Sequence, residues 1–443
     1  MKVSFISLGC AKNTVNTEQM MALCREAGIE LQYEPEGADV VVINTCGFID
    51  SAKAEAIDNI LAMGALKAEG QIKKILVTGC LSQRYKQEIM DEMPEVDGVM
   101  GTGSYGEIVP ALQEIMGGGS VCRFGSINAP VDEFDRLITT PSYYAYLRIA
   151  EGCNNGCAYC IIPKLRGRYR SRKMEDVIAE AQKLSDAGVK ELIVIAQDIT
   201  RYGMDLYDGK KMLAPLLREL CKMDFRWIRL HYLYPEVIDD DLIDTIANEP
   251  KILKNLDIPI QQCNDEVLKA MRRHNTKQEL LDLFHKLRDR IPHLVLRTSL
   301  IAGLPFEDEA AFDELCEFLQ EVRIERAGVF PYSPEEGTIA AKMTNRVDTP
   351  EAERRAELIE NVQSRVMDEF NESRMGDVTE VLCEGWDSQF MSYVGRSWAE
   401  SPDIDGHIYF TAERDIAAGE FVPVRVTGVM DGELTGEVWE ENV

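Results

Sequence analysis

The 443-residue sequence predicts an α/β protein with three parts: an N-terminal doubly wound parallel sheet, a central partial (β/α)6 barrel and a small C-terminal antiparallel β-barrel. Two separate stretches in which β-rich runs alternate with helical patterns predict the first two parts, because βαβ alternation builds parallel sheets. The last 70 residues change to short strand runs separated by Gly, Asp and Pro, which is typical of a small barrel. A chain of this length also exceeds one compact core, which favours several domains.

Residues 1–115 form the first predicted domain. Strands are predicted at residues 2–8, 39–44, 73–78 and 98–101, and helices at residues 16–27, 50–66, 82–92 and 105–115. The next segment, residues 116–141, begins with three consecutive glycines and lacks clear periodicity. It is therefore predicted to be a linker between the two β/α alternations.

Residues 142–345 form the second predicted domain, a partial barrel. Its six strands are predicted at residues 143–149, 191–196, 227–232, 255–260, 294–301 and 327–331. Six βα units are too few for a closed eight-stranded barrel, so an open sheet is expected. A charged amphipathic linker helix is predicted at residues 346–373, followed at residues 374–443 by five short strands of the small barrel.

The composition excludes several classes of protein. The apolar content of 45% and charged content of 28% are those of a globular chain and exclude disorder as the main state. The net charge of −28 disfavours a broad polyanion-binding surface, and residues 374–443 are the most acidic part for their size, with a net charge of −11. No apolar run approaches the roughly 18 residues of a membrane span, and residues 3–8 are too short for a signal sequence, so a cytoplasmic location is expected.

Three closely spaced cysteines follow the first strand of the second domain. Cys153, Cys157 and Cys160, called the core cysteines below, have the spacing Cys-x-x-x-Cys-x-x-Cys on a loop containing Asn and Gly. Three thiolates there can bind three irons of a cubane cluster and leave the fourth iron open as a Lewis acid. Structural zinc is a weaker interpretation because it usually has four ligands in two paired motifs, and three unrelated buried cysteines are the remaining alternative.

A second set of cysteines is dispersed along the first domain. Cys10, Cys46 and Cys80, called the edge cysteines below, each follow the end of a predicted strand. The carboxyl ends of parallel strands meet at one edge of a sheet, so these residues are expected to converge on a second cluster site, again with an open iron. The alternative is that each is a small buried apolar residue, as the other six cysteines are predicted to be.

Polar and glycine residues at other predicted strand ends are candidate cofactor contacts. Gln197 and Asp198 follow the second core strand. Gly303 follows the fifth, where a glycine allows close approach of the backbone to a ligand, although a plain turn explains it equally well. Six of the ten residues at 164–173 are positively charged, and this stretch could neutralise a cofactor carboxylate, contact a nucleic-acid phosphate or remain a solvated loop.

These motifs together resemble the methylthiotransferases of the radical S-adenosylmethionine superfamily over nearly the whole chain. Residues 7–13 (Ser-Leu-Gly-Cys-Ala-Lys-Asn), 195–203 and 328–338 resemble the RimO branch, which methylthiolates an aspartate of the twelfth small-subunit ribosomal protein, and the C-terminal part resembles a TRAM barrel. In this superfamily an aromatic residue precedes the last core cysteine, which is the position of Tyr159. Where the family commonly has Asp-Ser-Glu, residues 16–18 are Asn-Thr-Glu.

The resemblance implies two 4Fe-4S clusters and S-adenosylmethionine as cofactors, with Tyr159, Gln197, Asp198 and Gly303 near the latter. It also implies sulfur insertion at an unactivated C–H bond, followed by methylation of that sulfur. The expected partners are a basic ribosomal protein of the small subunit as substrate and an electron donor such as flavodoxin or ferredoxin.

Two alternative functions remain open at this point. The first, a tRNA adenosine methylthiotransferase, requires a basic RNA-binding surface, which the acidic terminal barrel disfavours. The second, a non-catalytic electron carrier, requires fully ligated clusters, which three cysteines per site disfavour. Instead, acidic residues of the barrel are expected to attract a basic protein. The candidates are Glu380, Glu384, Asp403, Asp405 and Glu413.

Overall fold

The computed structural model describes residues 1–440, and its first domain is a six-stranded parallel sheet between helices. The strands are β1 (Lys2–Ser7), β2 (Glu30–Gln32), β3 (Val40–Thr45), β4 (Lys74–Gly79), β5 (Gly98–Met100) and β6 (Val121–Arg123). The helices are α1 (Ala11–Glu26), α2 (Asp50–Ala68), α3 (Cys80–Tyr85), α4 (Gln87–Glu92) and α5 (Ile108–Met116). The order β2-β1-β3-β4-β5-β6 reverses between β1 and β3, which confirms the predicted doubly wound sheet.

Apolar residues on both faces of the central strand explain this layering. Along β3, Val40 and Val42 pack into one hydrophobic cluster, whereas Val41 and Ile43 pack into the other. A strand covered by helices on both faces is apolar throughout instead of alternating. The reversal next to β3 creates a crevice at the carboxyl edge of the sheet, where α/β proteins bind ligands.

Three predictions about this domain require correction. Strands β2 and β6 were not predicted, because three residues are too few to show a period of two. Strand β6 lies within the predicted linker 116–141, so part of that segment completes the first sheet. The predicted helix 82–92 is divided into α3 and α4 at Lys86, whose φ of 52° lies outside the helical region.

The central domain is an open six-stranded parallel sheet with the order β14-β13-β12-β11-β10-β7, which confirms the partial barrel. Its strands are β7 (Tyr144–Arg148), β10 (Glu191–Ile195), β11 (Trp227–Leu230), β12 (Ile252–Asp257), β13 (Val295–Ala302) and β14 (Arg326–Pro331), and a small ribbon is formed by β8 (Ala150–Glu151) and β9 (Arg170–Ser171). The helices are α6 (Ile162–Arg166), α7 (Met174–Asp186), α8 (Leu213–Leu220), α9 (Asp240–Asn248), α10 (Asp265–Ala270), α11 (Lys277–Arg290) and α12 (Glu309–Val322), and the linker helix is α13 (Thr349–Ser373).

Local sequence signals set the beginnings of the last five helices. Each is preceded by a residue whose side chain accepts a hydrogen bond from a backbone N–H of the first turn, which satisfies a donor that the helix itself leaves free. These N-cap residues are Asp239, Asn264, Thr276, Asp308 and Asp348.

The two faces of the central sheet are covered differently. Helices α7 to α12 cover one face through a large apolar core. The other face, with Tyr146, Ile193 and Ile195, packs against Ala11 and Val15 of α1 and against apolar residues of the C-terminal barrel. The first domain and the barrel therefore close the open side of the central sheet together.

The C-terminal domain is a closed five-stranded barrel, as predicted. Its strands are β15 (Val378–Asp387), β16 (Ser392–Arg396), β17 (Ile408–Thr411), β18 (Phe421–Met430) and β19 (Glu433–Val438). Four of the five strand pairs are antiparallel, and β17 and β19 run parallel. Among residues 1–440, no helix combines the length and apolar character required to cross a membrane.

Buried ion pairs attach this barrel to the central sheet. Glu191 of β10 is fully buried and binds Arg229 at 2.6 Å and Arg396 of the barrel at 2.8 Å. Glu400 binds Arg374 at 2.7 Å and Arg326 of β14 at 3.2 Å. Losing either partner of such a pair leaves an unpaired buried charge, so these contacts hold the barrel in one position.

Candidate functional site

The edge cysteines converge at the carboxyl edge of the first sheet. Cys10 directly precedes α1, Cys46 follows β3 and Cys80 begins α3 after β4. A methyl group built on Gly9 would lie 3.1 Å from Cys46 Sγ, and one built on Gly47 would lie 3.0 Å from the Cys80 carbonyl carbon. The three loops that carry the thiols therefore touch one another, as their positions after successive strands predict.

Glycine is required where these loops meet. Gly9 has a φ of +87°, and a Cβ atom there would lie 2.7 Å from Cys46 Cβ. Gly79 has a φ of +97°, and a Cβ atom there would lie 2.5 Å from the Thr45 carbonyl oxygen. L side chains rarely adopt this conformation and no space exists for one, so both glycines allow the loops to approach.

Asn13 holds two of these loops together. Its Nδ2 donates to the Leu8 carbonyl oxygen at 2.8 Å and to the Thr45 carbonyl oxygen at 3.1 Å. These carbonyls lie two residues before Cys10 and one residue before Cys46. The asparagine thus fixes the relative position of two edge cysteines through their backbones.

The core cysteines lie on the loop between β8 and α6. The amide of Asn155 donates to Cys153 Sγ at 3.5 Å, and Tyr234, which follows β11, has its hydroxyl 3.5 Å from Cys157 Sγ. The backbone of Ala158 is held by the amide-to-carbonyl bond to Met271 at 2.9 Å. The loop is therefore shaped by contacts with the segments that follow β11 and α10.

The two sets of cysteines are neighbours. Cys80 packs in one small cluster with Ile161 and Leu165, and Ile161 directly follows Cys160 in the chain. The helix that follows the core cysteines therefore touches an edge cysteine. Sequence position alone gives no indication of this contact, because Cys80 and Cys160 are 80 positions apart.

A buried polar network joins the two halves of the site. Arg166 of α6 donates to Glu151 Oε2 at 3.1 Å and to Asn16 Oδ1 at 3.0 Å, and it also binds Asn13 Oδ1. Arg148 completes the network by donating to Glu151 at 2.9 Å. Although burial opposes ionisation, Arg166 and Arg148 hold the pKa of Glu151 at about 2. A carboxylate and two guanidinium groups thus fix the core loop against α1.

The structure places the four predicted cofactor residues in different surroundings. Tyr159 packs at the edge of the apolar cluster that contains Ala158 and Tyr332. Gln197 donates to Glu151 Oε1 at 2.8 Å, while its own Oε1 is buried without a hydrogen-bond partner among the described residues. That carbonyl oxygen is free to accept a hydrogen bond from a ligand.

Asp198 and Gly303 have evident structural functions. The buried Asp198 carboxylate accepts from Asn155 Nδ2 at 3.0 Å and pairs with Arg201 at 3.2 Å, so it orients the core loop. A Cβ atom on Gly303 would lie 2.5 Å from Ala352 Cβ of α13, so packing of that helix requires this glycine. Sequence reasoning placed both residues at the correct strand ends but did not reveal these contacts.

The basic stretch at residues 164–173 is divided between buried arginines with internal partners and exposed cations. Besides Arg166, Arg172 is buried and forms ion pairs with the carboxylates of Glu133 and Glu180. Glu133 belongs to the segment predicted as a linker. Arg166 and Arg172 therefore connect domains, whereas the exposed Lys164, Arg168 and Lys173 leave the solvated-loop and phosphate-contact alternatives open for their part of the stretch.

Most acidic residues proposed to attract a partner are also engaged within the chain. Glu380 pairs with Arg226, Glu384 with Arg396, and Asp405 with Arg297, while Asp403 accepts a hydrogen bond from Tyr144. Glu413 and Asp403 are exposed and make no ion pair within residues 1–440, and Glu413 makes no side-chain hydrogen bond there either. The sequence correctly gives the net charge of the barrel, but it could not distinguish free carboxylates from paired ones.

The donor set fits two iron-sulfur clusters. Burial raises the pKa of Cys46 and of Cys153 to about 11, so metal binding must supply the free energy for deprotonation. Burial also raises the pKa of Cys80, and the positive charge of Arg166 offsets part of this rise. Within residues 1–440 no three His, Cys, Asp or Glu side chains are placed to share one metal ion. A cubane does not require this, because each cysteine binds a different iron.

Family comparisons agree with this three-part architecture. Residues 2–101 match the uncharacterized protein family UPF0004, residues 147–319 match the radical SAM superfamily, and residues 375–438 match the TRAM domain. The first match contains all three edge cysteines and the second contains all three core cysteines. Fold and site together therefore define a radical S-adenosylmethionine enzyme with an additional N-terminal cysteine site.

Full-length relatives define the family more closely. The chain is 45% identical to the ribosomal protein uS12 methylthiotransferase RimO of Thermoanaerobacter sp. (strain X514), with 98% of this chain and 99% of the relative covered. It is 44% identical to the protein of the same name from Clostridioides difficile (strain 630), with coverage of 100% and 99%. The chain belongs to the RimO family of methylthiotransferases.

Solved structures support the fold. The chain resembles the radical S-adenosylmethionine methyltransferase TsrM from Kitasatospora setae with a TM-score of 0.56 and 12% identity, covering 80% of this chain and 84% of that one. It resembles the cobalamin-dependent radical enzyme OxsB with a TM-score of 0.52 and 11% identity, covering 83% and 56%. At such identities the likeness establishes architecture alone.

Proposed function

We propose that this chain inserts sulfur at the β-carbon of an aspartate in ribosomal protein uS12 and methylates that sulfur. One observation carries the proposal: Cys80 of the edge set packs against the segment that directly follows the core cysteines. Hydrogen removal at one site and sulfur addition at the other must act on the same carbon, so the two sites must be adjacent.

The core cysteines would hold one 4Fe-4S cluster, and the edge cysteines would hold the second. A cluster on the core cysteines supplies an electron and an open iron for binding and reductive cleavage of S-adenosylmethionine, whereas one on the edge cysteines supplies a site for the sulfur to be transferred. The unpartnered carbonyl oxygen of Gln197 and the position of Tyr159 next to Cys160 support a role for both residues in contacting the S-adenosylmethionine.

The surrounding residues act by positioning and by excluding water. Arg166 and Glu151 lock the core loop onto α1, and Asn13 fixes the loops of two edge cysteines. Ala11 and Val15 cover the open face of the central sheet beside them. A closed site protects a reactive carbon radical from solvent and from side reactions.

The charge of the terminal barrel supports a protein substrate. Its net charge of −11 favours a basic ribosomal protein over tRNA, because neutralising phosphates requires positive charge. Glu413, Asp431 and Glu437 are exposed on it and remain free of ion pairs within residues 1–440. A ribosomal substrate supports a cytoplasmic location, with a flavodoxin or ferredoxin as the proposed reductant.

Mass spectrometry of cells with and without the gene tests the proposal. We expect uS12 to lose a methylthio group, a mass of about 46 Da, at one aspartate in the deletion strain, while tRNA nucleosides remain unchanged. Complementation with the intact gene should restore the modification, and a gene lacking the three edge cysteines should not. Loss of a methylthiolated tRNA adenosine with uS12 unchanged would support the tRNA alternative instead.

A further inference from the structure

A lysine of the first domain enters the junction between the two cysteine sites. Lys12 lies two residues after Cys10, and its side chain is buried, with 7% of the residue exposed. Its Nζ lies 3.6 Å from the centroid of the Tyr232 ring. Tyr232 follows strand β11 of the central sheet, so the lysine extends from the carboxyl edge of one parallel sheet to that of the other.

The Lys12 ammonium group has no anionic partner within the described part of the chain. It makes no ion pair and no hydrogen bond with residues 1–440, and its Nζ lies over the face of the Tyr232 ring. Asp257 is near enough to feel the lysine charge but lies outside ion-pair distance of it. Asp257 Oδ2 pairs with Arg297 at 3.4 Å, and Oδ1 has no hydrogen-bond partner among the described residues. A buried cation is costly unless it is paired, and stacking on an aromatic ring compensates only part of that cost.

Lys12 lies between the strand ends that carry the two cysteine sites. Reactive groups of α/β folds gather at the carboxyl ends of parallel strands, and here two such edges face each other. Lys12 is flanked by Cys10 on its own chain segment and by Ala11, which packs against the open face of the central sheet. Tyr234, two residues after the Tyr232 ring that Lys12 contacts, has its hydroxyl 3.5 Å from Cys157 Sγ, so a group held by Lys12 would lie close to Cys10 and to the strand end that contacts the core cysteines.

We propose that Lys12 binds the side-chain carboxylate of the substrate aspartate and thereby selects an anionic residue for modification. This inference rests on the proposed function, in which the substrate residue is an aspartate. An ammonium–carboxylate hydrogen bond in a closed site is among the stronger polar contacts, and it would place the adjacent β-carbon between the two sites. A neutral asparagine of the same shape would lack this attraction.

A double-mutant cycle between enzyme and substrate tests the inference. The probes are two peptides from uS12 centred on the modified aspartate, one with Asp and one with Asn at that position, and binding to the reconstituted holoenzyme is measured by fluorescence anisotropy. We expect the wild-type enzyme to bind the Asp peptide about tenfold or more tightly than the Asn peptide, and Lys12→Met to lose this preference with little change for the Asn peptide. Lys12→Arg should retain part of the preference, and Lys190→Met, which removes an exposed lysine, should match the wild type.

Other outcomes separate the possible errors. The carboxylate of S-adenosylmethionine is the other anionic group that Lys12 could meet, so a weaker affinity for S-adenosylmethionine in Lys12→Met without a change in peptide preference would overturn the inference. An equal loss of affinity for both peptides in Lys12→Met, or a loss of iron and sulfide from the second cluster, would also overturn the inference, because either result would show a structural role for Lys12. If wild-type enzyme neither binds nor modifies the Asp peptide, the proposed function itself fails.

Discussion

Glu335 should control how closely the first domain docks on the central domain. Its carboxylate is 4% exposed and accepts hydrogen bonds from Arg84 at 2.6 Å and from Lys53 at 3.0 Å. Lys53 belongs to α2, which follows Cys46, and Arg84 belongs to α3, which begins at Cys80. Arg84 also donates to the Gly47 carbonyl oxygen at 3.1 Å, so the glutamate is linked directly to the loop of an edge cysteine.

The size of the effect follows from these contacts. Glu335→Gln keeps the shape but removes the charge shared by two cations, and Arg84 is itself only 7% exposed. Lys53 keeps its ion pair with Asp50, but the buried Arg84 loses its carboxylate partner, and leaving such a charge uncompensated costs about 3 kcal/mol. Such a loss raises the undocked fraction of the first domain roughly a hundredfold.

Hydrogen exchange and product analysis together provide the assay. In Glu335→Gln, we expect faster exchange over residues 46–92 and continued cleavage of S-adenosylmethionine, with fewer methylthiolated products per 5′-deoxyadenosine formed. Glu336→Gln is the matched control, because its side chain is exposed. Wild-type exchange and wild-type product yield in Glu335→Gln would refute the docking role.

Four further perturbations have defined outcomes. Replacing the core cysteines by alanine should remove about half the iron of the reconstituted protein and abolish cleavage of S-adenosylmethionine; unchanged iron content would contradict their assignment as ligands. Replacing the edge cysteines should preserve cleavage but abolish sulfur insertion, whereas the reverse result would exchange the two roles. Changing Glu413, Asp431 and Glu437 to lysine should slow modification of uS12, and most strongly at low salt. The attraction between the acidic barrel and a basic protein is screened over about 8 Å at physiological ionic strength. An unaltered rate would argue against docking at these residues. Although burial opposes ionisation, Arg374 and Arg326 hold the pKa of Glu400 at about 2. The stabilisation that the ionised Glu400 contributes is therefore present above pH 4.5 and declines as the pH falls towards 2. In denaturant titrations, Glu400→Gln should lower the free energy of unfolding by about 3 kcal/mol at pH 7 and by less at pH 3, and an equal loss at both pH values would disprove the linkage.

Local patterns in the sequence determine the fold class and the two cysteine sites. The alternation of β-rich and helical runs predicts both parallel sheets, because each element must bury one face against its neighbours. The position of each edge cysteine directly after a strand predicts convergence, since parallel strands share a carboxyl edge. The core cysteines need even less information, because a single loop carries all three.

Contacts between distant segments were decided only by tertiary structure. Glu335 and Lys53 are 282 residues apart, and no periodicity relates them. The same holds for Lys12 beside Tyr232, and for Asp405, which the charge count presents as a free carboxylate although it pairs with Arg297. Periodicity reports which face of an element is buried, whereas the partner of a buried charge depends on how whole domains pack.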